Sequence, residues 1–295
     1  MGLRDLLEDA VHALSRQGPV IDLGEGGLLV VGDIHGYPEV ARWALRIWGE
    51  YGYRHIVFLG DYTDRGPDGV GSLETVIEAF LGEPGRVVLL RGNHETPSMN
   101  YNYGFYRELM DKGVKDLYQD IVRLYRSMPY IARTSNTIIL HGGIPCRKCS
   151  GEGEEAYTIE EIASAIEDER ARGDDTDPGP ETVGFHILWN DPLGSIEWFA
   201  PSIRGAYYYG RTAWKRFLEA NGSALLVRGH EVVDALRIWR GSGEAEEGFS
   251  DGWTSGIDEY RGSVVTVFSS LYHGLRAGAL GLEKNVLRLH VFGEG

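Results

Sequence analysis

Three short runs, residues 28–31, 55–59 and 87–90, fall within the first hundred positions and, His55 apart, are wholly apolar. Runs of four or five apolar residues suit strands that are buried on both faces. Between them the period changes. Val40, Trp43, Ala44, Ile47 and Trp48 recur at helical spacing, and so do Leu73, Val76, Ile77 and Phe80. This alternation predicts a βαβαβ unit, largely parallel, with right-handed crossovers. Upstream, Leu3, Leu6, Leu7, Ala10, Val11 and Leu14 share one helical face. Residues 101–128 read as helical and carry several aromatics. Later apolar runs at 137–140, 224–227 and 264–268 predict further strands, and their richness in Val and Leu predicts a second sheet packed on the first. Tyr207, Tyr208 and Tyr209 read as packing residues. Two stretches break the pattern. Residues 150–182 are acidic and polar, with a central EEIASAIEDERAR able to form a helix, and residues 241–258 are Gly-rich and acidic. Both read as surface insertions in one domain covering 1–295, because no repeat or linker divides the chain.

The ends of the predicted strands are where chemistry gathers. In open α/β sheets, functional residues collect beyond the carboxyl ends of strands. Asp33, His35, Asp61, Asn93, His94, His141 and His230 all stand at such positions, flanked by glycines that permit tight turns. Asp and Asn offer oxygen ligands and neutral His offers nitrogen, a mixture that suits Mn, Fe or Zn better than Mg or Ca alone. A carboxylate such as Asp61 is able to bridge two cations, and a cation pair can clamp both the attacking and the leaving oxygen of an in-line displacement.

Bulk composition narrows the classes. The net charge of −15 argues against nucleic-acid or anionic-membrane binding, which relies on clustered Lys and Arg, but leaves an anionic substrate open. No apolar run approaches the ~20 residues of a membrane span. The N-terminal sequence lacks the basic start and apolar core of a secretory signal, so a cytoplasmic location is expected. Cys146 and Cys149, in CRKC, are the two cysteines of the chain. They are expected as two loop thiols of a reducing cytosol, with a reversible disulfide, half a zinc site or a redox pair as the other readings. His12, His55, His186 and His290 are expected as surface or satisfied core histidines, and His273 stands beside a candidate active-site loop.

Six strings in series carry a resemblance: GDIHG (32–36), GDYTDRG (60–66), RGNHE (91–95), HGG (141–143), WNDP (189–192) and RGHE (228–231). In order and spacing the chain resembles the PPP family of metal-dependent serine/threonine protein phosphatases, within the calcineurin-like metallophosphoesterase superfamily, and looks like a prokaryotic or archaeal-type member. The resemblance implies an α/β metallophosphoesterase sandwich of two central mixed β-sheets flanked by helices. It implies that Asp33 and His35 hold one metal, that Asn93, His141 and His230 hold a second, and that Asp61 bridges both. The metals would be two divalent ions, manganese or iron first and zinc after them. His94 would protonate the leaving alkoxide, and Asp64 would orient its imidazole. Arg65 and, on a looser match in SIRGAYYYG, Arg204 would bind phosphoryl oxygens. The implied reaction is direct attack of a metal-bridging hydroxide on phosphoserine or phosphothreonine in proteins, with no phosphoenzyme. Family members often take regulatory subunits, and nothing in this sequence identifies one.

The resemblance weakens at its end. The family's FSAPNYCG corresponds to FSSLYHG at 268–274, one residue shorter, so that Tyr272 supplies the active-site tyrosine in an uncertain register and His273 stands where Cys is frequent. WNDP replaces WSDP, with Asp191 expected to be structural. Three rival readings follow. A dinucleoside polyphosphate hydrolase or broad phosphoesterase would share the early strings. A nuclease-type enzyme would carry GHxH late in the chain, where this sequence has His230 followed by Glu231. A non-catalytic phosphoprotein-binding module would be expected to have lost ligands.

Overall fold

A computed structural model describes residues 2–147, 149 and 155–294. The βαβαβ unit forms as the periodicity predicts. Strands Leu28–Val31, His55–Phe58 and Val87–Leu89 pair in parallel, linked by helices Pro38–Tyr51 and Gly69–Gly82. Pro38 opens the first helix, where its missing N–H costs nothing, and Gly52 closes it in the left-handed region. The late hairpin Gly278–Glu283 and Val286–Val291 joins the other edge of Leu28–Val31 in antiparallel register, so the sheet is mixed. A second mixed sheet is centred on the parallel strands Thr137–Leu140, Leu225–Arg228 and Ser263–Val267.

Alternation of side chains across each strand builds four layers. Leu28, Val30, Val57 and Leu59 point toward the second sheet and meet Ile139, Leu225, Val227 and Val265. Their neighbours Leu29, Val31, Ile56 and Phe58 point the other way, under the helices that carry Leu7, Val40, Val76 and Tyr125. On the far face of the second sheet, Ile138, Leu140, Leu226 and Val264 pack with Trp214 and Phe217. With both faces covered, a run such as Leu28–Val31 has no polar position, and each of its side chains contributes ~1.5–3 kcal/mol by leaving water. The expected sandwich of two mixed sheets with outer helices is the observed architecture.

Three expectations change in detail. Residues 101–128 form no continuous helix: Pro97–Tyr103, Phe105–Asp111 and Tyr118–Ser127 are separate, broken at Gly104 and Gly113, both in the left-handed region. The acidic stretch 150–182 does not lie wholly at the surface. Thr158 and Glu161 form a capping box for helix Ile159–Arg172, which buries Ile159, Ile162 and Ile166 in the outer core of the second sheet. Residues 150–154 of that stretch lie outside the described residues. Segment 241–258 adds an edge strand to each sheet, Ala245–Glu246 beside Leu236–Trp239 and Thr254–Gly256 beside Val286–Val291. Between these strands Phe249 and Trp253 pack on the inter-sheet core. The aromatic run is strand Tyr207–Tyr209, the middle of a small third sheet, with Tyr209 buried.

Candidate metal centre

The carboxyl ends of the parallel strands of both sheets open on one cavity of about 220 Å³. Asp33, His35, Asp61, Asn93, His94 and His230 line it, with Arg65, Tyr103, Trp189, Arg204 and His273 around them. The sheets meet here through an isolated parallel bridge between Asp33 and Phe268. Close backbone approach makes this possible: a Cβ on Gly60, itself at φ +110°, would overlap the Gly92 amide. Strained backbone concentrates at the same place. Among the described residues eight non-glycines have positive φ, and His35, Asp61, Asp64, Arg65 and His230 are five of them.

Two of the imidazoles, His35 and His141, are each held by one nitrogen and present the other. His35 Nδ1 donates to the Thr63 carbonyl at 3.0 Å, and His141 Nδ1 donates to the Leu59 carbonyl at 3.0 Å. Their Nε2 lone pairs therefore face the cavity side, where His35 Nε2 lies 3.6 Å from Asp61 Oδ2 and His141 Nε2 lies 3.4 Å from Asp61 Oδ1. Asp61 stands between two clusters. His35 and His94 flank one of its sides and His141 and His230 the other, with ligand atoms in each trio within 4.8 Å of one another. Asp33 completes the first side, its Oδ2 3.8 Å from His35 Nε2 and its Oδ1 accepting from the His230 amide at 2.9 Å.

The donor set fits a cation. Asn93 turns its amide oxygen toward His141 Nε2 at 2.9 Å and His230 Nδ1 at 3.0 Å, with the Asp61 oxygens 3.1 and 3.3 Å away. Oxygen lone pairs of Asn93 and Asp61 meet the Nε2 lone pair of His141 there, since the His141 proton sits on Nδ1, an arrangement that a positive ion satisfies and that a turned NH2 group would otherwise fill. The electrostatics agree. Burial pushes the Asp33 carboxyl up to about 6 and Asp61 well above the usual carboxylate range, while burial drives His35, His94, His141 and His230 toward the neutral form. Divalent charge in the cavity would reverse the penalty on the carboxylates and take the neutral imidazoles as they are.

Beside the cluster, His94 Nδ1 is 2.8 Å from Asp64 Oδ2, and its Nε2 faces the cavity 4.0 Å from Asp61 Oδ2. Asp64 is fixed in turn by the Phe105 amide at 2.8 Å and by Asn100 Nδ2 at 3.1 Å. Arg65 lies under the Tyr103 ring, 4.7 Å from its centroid, with its buried Nε unpartnered. Arg204 reaches the cavity from the loop after the strand Phe199–Pro201, and its Nη1 lies 2.9 Å from His230 Nε2. Of the irregular loop, His273 lines the cavity; Tyr272 is not a lining residue and stands half-exposed, 5.9 Å from the Arg65 guanidinium.

Several residues that hold this geometry were not singled out in the sequence. Glu95, fully buried, accepts from the Asp61 amide at 2.7 Å, the Tyr62 amide at 3.0 Å and the Gly92 amide at 2.8 Å, and so ties two of the strand-end loops together. Burial pushes its carboxyl up to about 7 although three amides hold its charge. Arg228 is fully buried between Asp191 and Glu231, at 2.6 and 2.8 Å, and its Nε donates to the Gly142 carbonyl at 2.6 Å. Asp191 is therefore structural, as expected. The available signal was position, since Glu95, Arg228 and Glu231 all lie inside the strings RGNHE and RGHE. Cys146 and Cys149, expected as separate thiols, are joined as a disulfide with 5.4 Å between their Cα atoms, a distance that lets two loop sulfurs meet.

Comparison with known proteins places this geometry. The sequence profile of the calcineurin-like phosphoesterase family matches residues 27–234, a span that holds all six candidate ligands and stops short of the irregular 268–274 loop. A serine/threonine-protein phosphatase by name from Encephalitozoon cuniculi is 29% identical over 91% of this chain and 54% of its own length. A PP2A-like serine/threonine-protein phosphatase of Candida albicans is 29% identical over 93% of this chain and 59% of its own length. The chain thus spans little more than half the length of these relatives. Among solved structures, a Saccharomyces cerevisiae serine/threonine phosphatase with similarity to human phosphatase PP5 superposes with a TM-score of 0.77 at 20% identity, over 99% of this chain and 89% of that one.

Proposed function

This chain belongs to the calcineurin-like phosphoesterase family, and from that premise we propose that it is a two-metal phosphomonoesterase acting on phosphoserine and phosphothreonine in proteins, with residues 1–295 serving as one catalytic domain. The observation that carries the reading is the convergence of Asp33, His35, Asp61, Asn93 and His230 on one cavity, with His141 behind them against Asp61 and Asn93 and the His94–Asp64 pair alongside. Asp33, His35 and Asp61 would hold one divalent cation and Asp61, Asn93, His141 and His230 the other. When bound, such ions supply Lewis acidity, neutralising phosphoryl charge and acidifying a water.

The remaining steps belong to the chain. Arg65, whose Nε has no partner and whose guanidinium is braced on Tyr103, donates to phosphoryl oxygens from one side of the cavity. Arg204 donates from the other side, beside His230. His94 holds a proton on Nε2 and passes it to the departing seryl or threonyl oxygen, a poor leaving group without it. Asp64 stabilises the imidazolium form that makes this transfer possible. A polypeptide substrate is supported by the names of the relatives and by the apolar surface at the cavity, where Val232 lines the wall and is exposed and Ile203 is exposed beside Arg204 in the chain.

Two variants test the assignment together. Asp61→Asn is expected to lose metal and activity in step. His94→Asn is expected to keep its metal and lose roughly 10²–10⁴-fold in kcat on a phosphoserine peptide. Near-normal turnover by His94→Asn on that substrate would refute its role. Diadenosine tetraphosphate assayed alongside phosphoprotein tests the substrate class, and preference for the dinucleotide would overturn it.

A further inference from the structure

The chain's two cysteines meet a third potential ligand that lies far from them in sequence. Cys146 and Cys149 sit in the loop that follows the His141 turn, and His186 sits in helix Val183–Trp189. One ligand atom from each lies within 4.8 Å of the other two. Cys146 and His186 are each about 6% exposed and Cys149 is half-buried, so the cluster reaches from the interior toward the surface. No hydrogen bond of good geometry reaches either ring nitrogen of His186, although the Pro180 carbonyl lies close enough to act on the ring. A buried imidazole whose other nitrogen has no donor to accept from is costly unless something else uses its lone pair.

We infer that, with the cysteines reduced, Cys146, Cys149 and His186 form a zinc site separate from the candidate metal centre. Two thiolates and an imidazole are the donor set that selects zinc over the harder divalent ions. Bonds of ~2.3 Å to sulfur and ~2.0 Å to nitrogen place tetrahedral ligands roughly 3.5–3.8 Å apart, and the three ligand atoms now lie within 4.8 Å of one another. Burial holds the ring toward its neutral form, and the Pro180 carbonyl, which acts in the opposite sense, is available to orient it through its second nitrogen. A water fills the fourth position.

The chemistry balances. A dithiol opens the Cys146–Cys149 bond, delivering two electrons and two protons to the sulfurs and leaving as its own disulfide. Zinc then displaces both thiol protons to solvent and binds two thiolates and a neutral imidazole. The ion would pin the loop after His141 to the helix that already receives it: Ile187 O accepts from the Gly142 amide at 2.8 Å and from the Gly143 amide at 3.0 Å, and Asn190 Nδ2 donates to Ile144 O at 2.8 Å. The two redox states thus offer two alternative staples for the same loop.

Because Cys146 and Cys149 are the two cysteines of the chain, any sulfur-to-cobalt charge-transfer absorption reports this site and no other. The full chain, reduced with a phosphine and loaded with Co²⁺, is expected to show that near-ultraviolet band, and the same chain with its disulfide intact is expected to lack it. Cys149→Ser should roughly halve the band, and Cys146→Ser/Cys149→Ser should abolish it. His186→Gln should weaken cobalt binding at least tenfold while the thiols stay titratable. Loaded with zinc, reduced wild type should carry one equivalent more than the oxidised protein. The oxidised wild type is a folded control of identical sequence, so the comparison holds even where a variant folds poorly. Absence of the band in the reduced protein, or equal zinc in both redox states, would overturn the site. An unchanged band and affinity in His186→Gln would overturn the imidazole's part.

Discussion

Replacing Asp64 by Asn keeps the volume of the side chain and removes its charge, which isolates what that charge does for His94. The geometry dictates how the amide must sit. Oδ1 accepts from the Phe105 amide at 2.8 Å, so the Asn oxygen has to stay there. The NH2 group then faces both His94 Nδ1 and Asn100 Nδ2, at 2.8 and 3.1 Å from the position of the old carboxylate oxygen. Asn100 has little freedom to turn away, because its Nδ2 also donates to the His94 carbonyl at 2.8 Å. The new NH2 donates to His94 Nδ1, which forces the neutral Nε2–H tautomer. A neutral imidazole is a far weaker acid than an imidazolium. The lost interaction is a charge-assisted hydrogen bond in a buried site, ~1.5–3 kcal/mol, or roughly 10- to 150-fold in rate at 1.4 kcal/mol per decade. Paired substrates separate this from misfolding. Turnover of a phosphoserine peptide, whose alkoxide needs a proton, should fall by that factor, and turnover of a nitrophenyl phosphate, whose phenolate leaves unaided, should fall far less. Metal content should be unchanged. Equal losses on the two substrates, or none on either, would refute the reasoning.

Other outcomes follow from the same coordinates. Glu95→Gln should cost about 1–3 kcal/mol in urea unfolding, because its oxygen can take the place of Oε2 for the Asp61 and Gly92 amides but its NH2 then faces the Tyr62 amide that Oε1 now accepts; no loss would contradict this. Arg65→Lys should raise KM for phosphopeptide roughly tenfold with less effect on kcat, since charge is kept and the guanidinium fork is lost. Burial pushes the His290 imidazole down to about 4 from the ordinary 6.5, with Tyr53 Oη 2.9 Å from its Nε2. Above pH 6.5 this has no effect on stability. As pH falls from 6.5 to 4 the unfolded chain takes up a proton that the folded chain refuses, so stability declines across that window and levels off below it. His290→Gln should remove that part of the decline in Tm measured between pH 7 and 4.

The strand-end strings were legible in the sequence because their signal is local. A run such as Leu28–Val31 announces a strand buried on both faces, and the polar residues that interrupt it at Asp33 and His35 announce that something other than packing is being served. The six candidate ligands and His94 stood out by their strand-end positions, and Asp64 and Arg65 came with the resemblance; the structure sets Asp33, His35, Asp61, Arg65, Asn93, His94 and His230 around one cavity, with Asp64 behind His94 and His141 behind Asp61. The helices around the sheet were less legible where glycine decides. Gly104 and Gly113 split an apparently helical stretch by adopting left-handed backbone, a choice made by what the flanking turns pack against.

Contacts between distant parts of the chain were a matter for the tertiary structure. Periodicity tells which side chains leave water but not which neighbours they meet, because burial stabilises a leucine about equally against any close-packed partner. Hence the sharing of strands between two sheets, the threefold grip of Glu95 on two loops, and the reach of Arg204 to His230 were invisible in one dimension. So was the part played by segment 241–258, which looked like a loop and supplies an edge strand to each sheet. The same holds for His273, which takes the cavity wall where Tyr272 was expected, and for His186, an ordinary core histidine by sequence that packing brings to the two cysteines. The sequence by itself singled out the candidate residues, since their types and turns are local properties. The fold alone decided which of them touch, since that depends on how two sheets, each with both faces covered, close on one another.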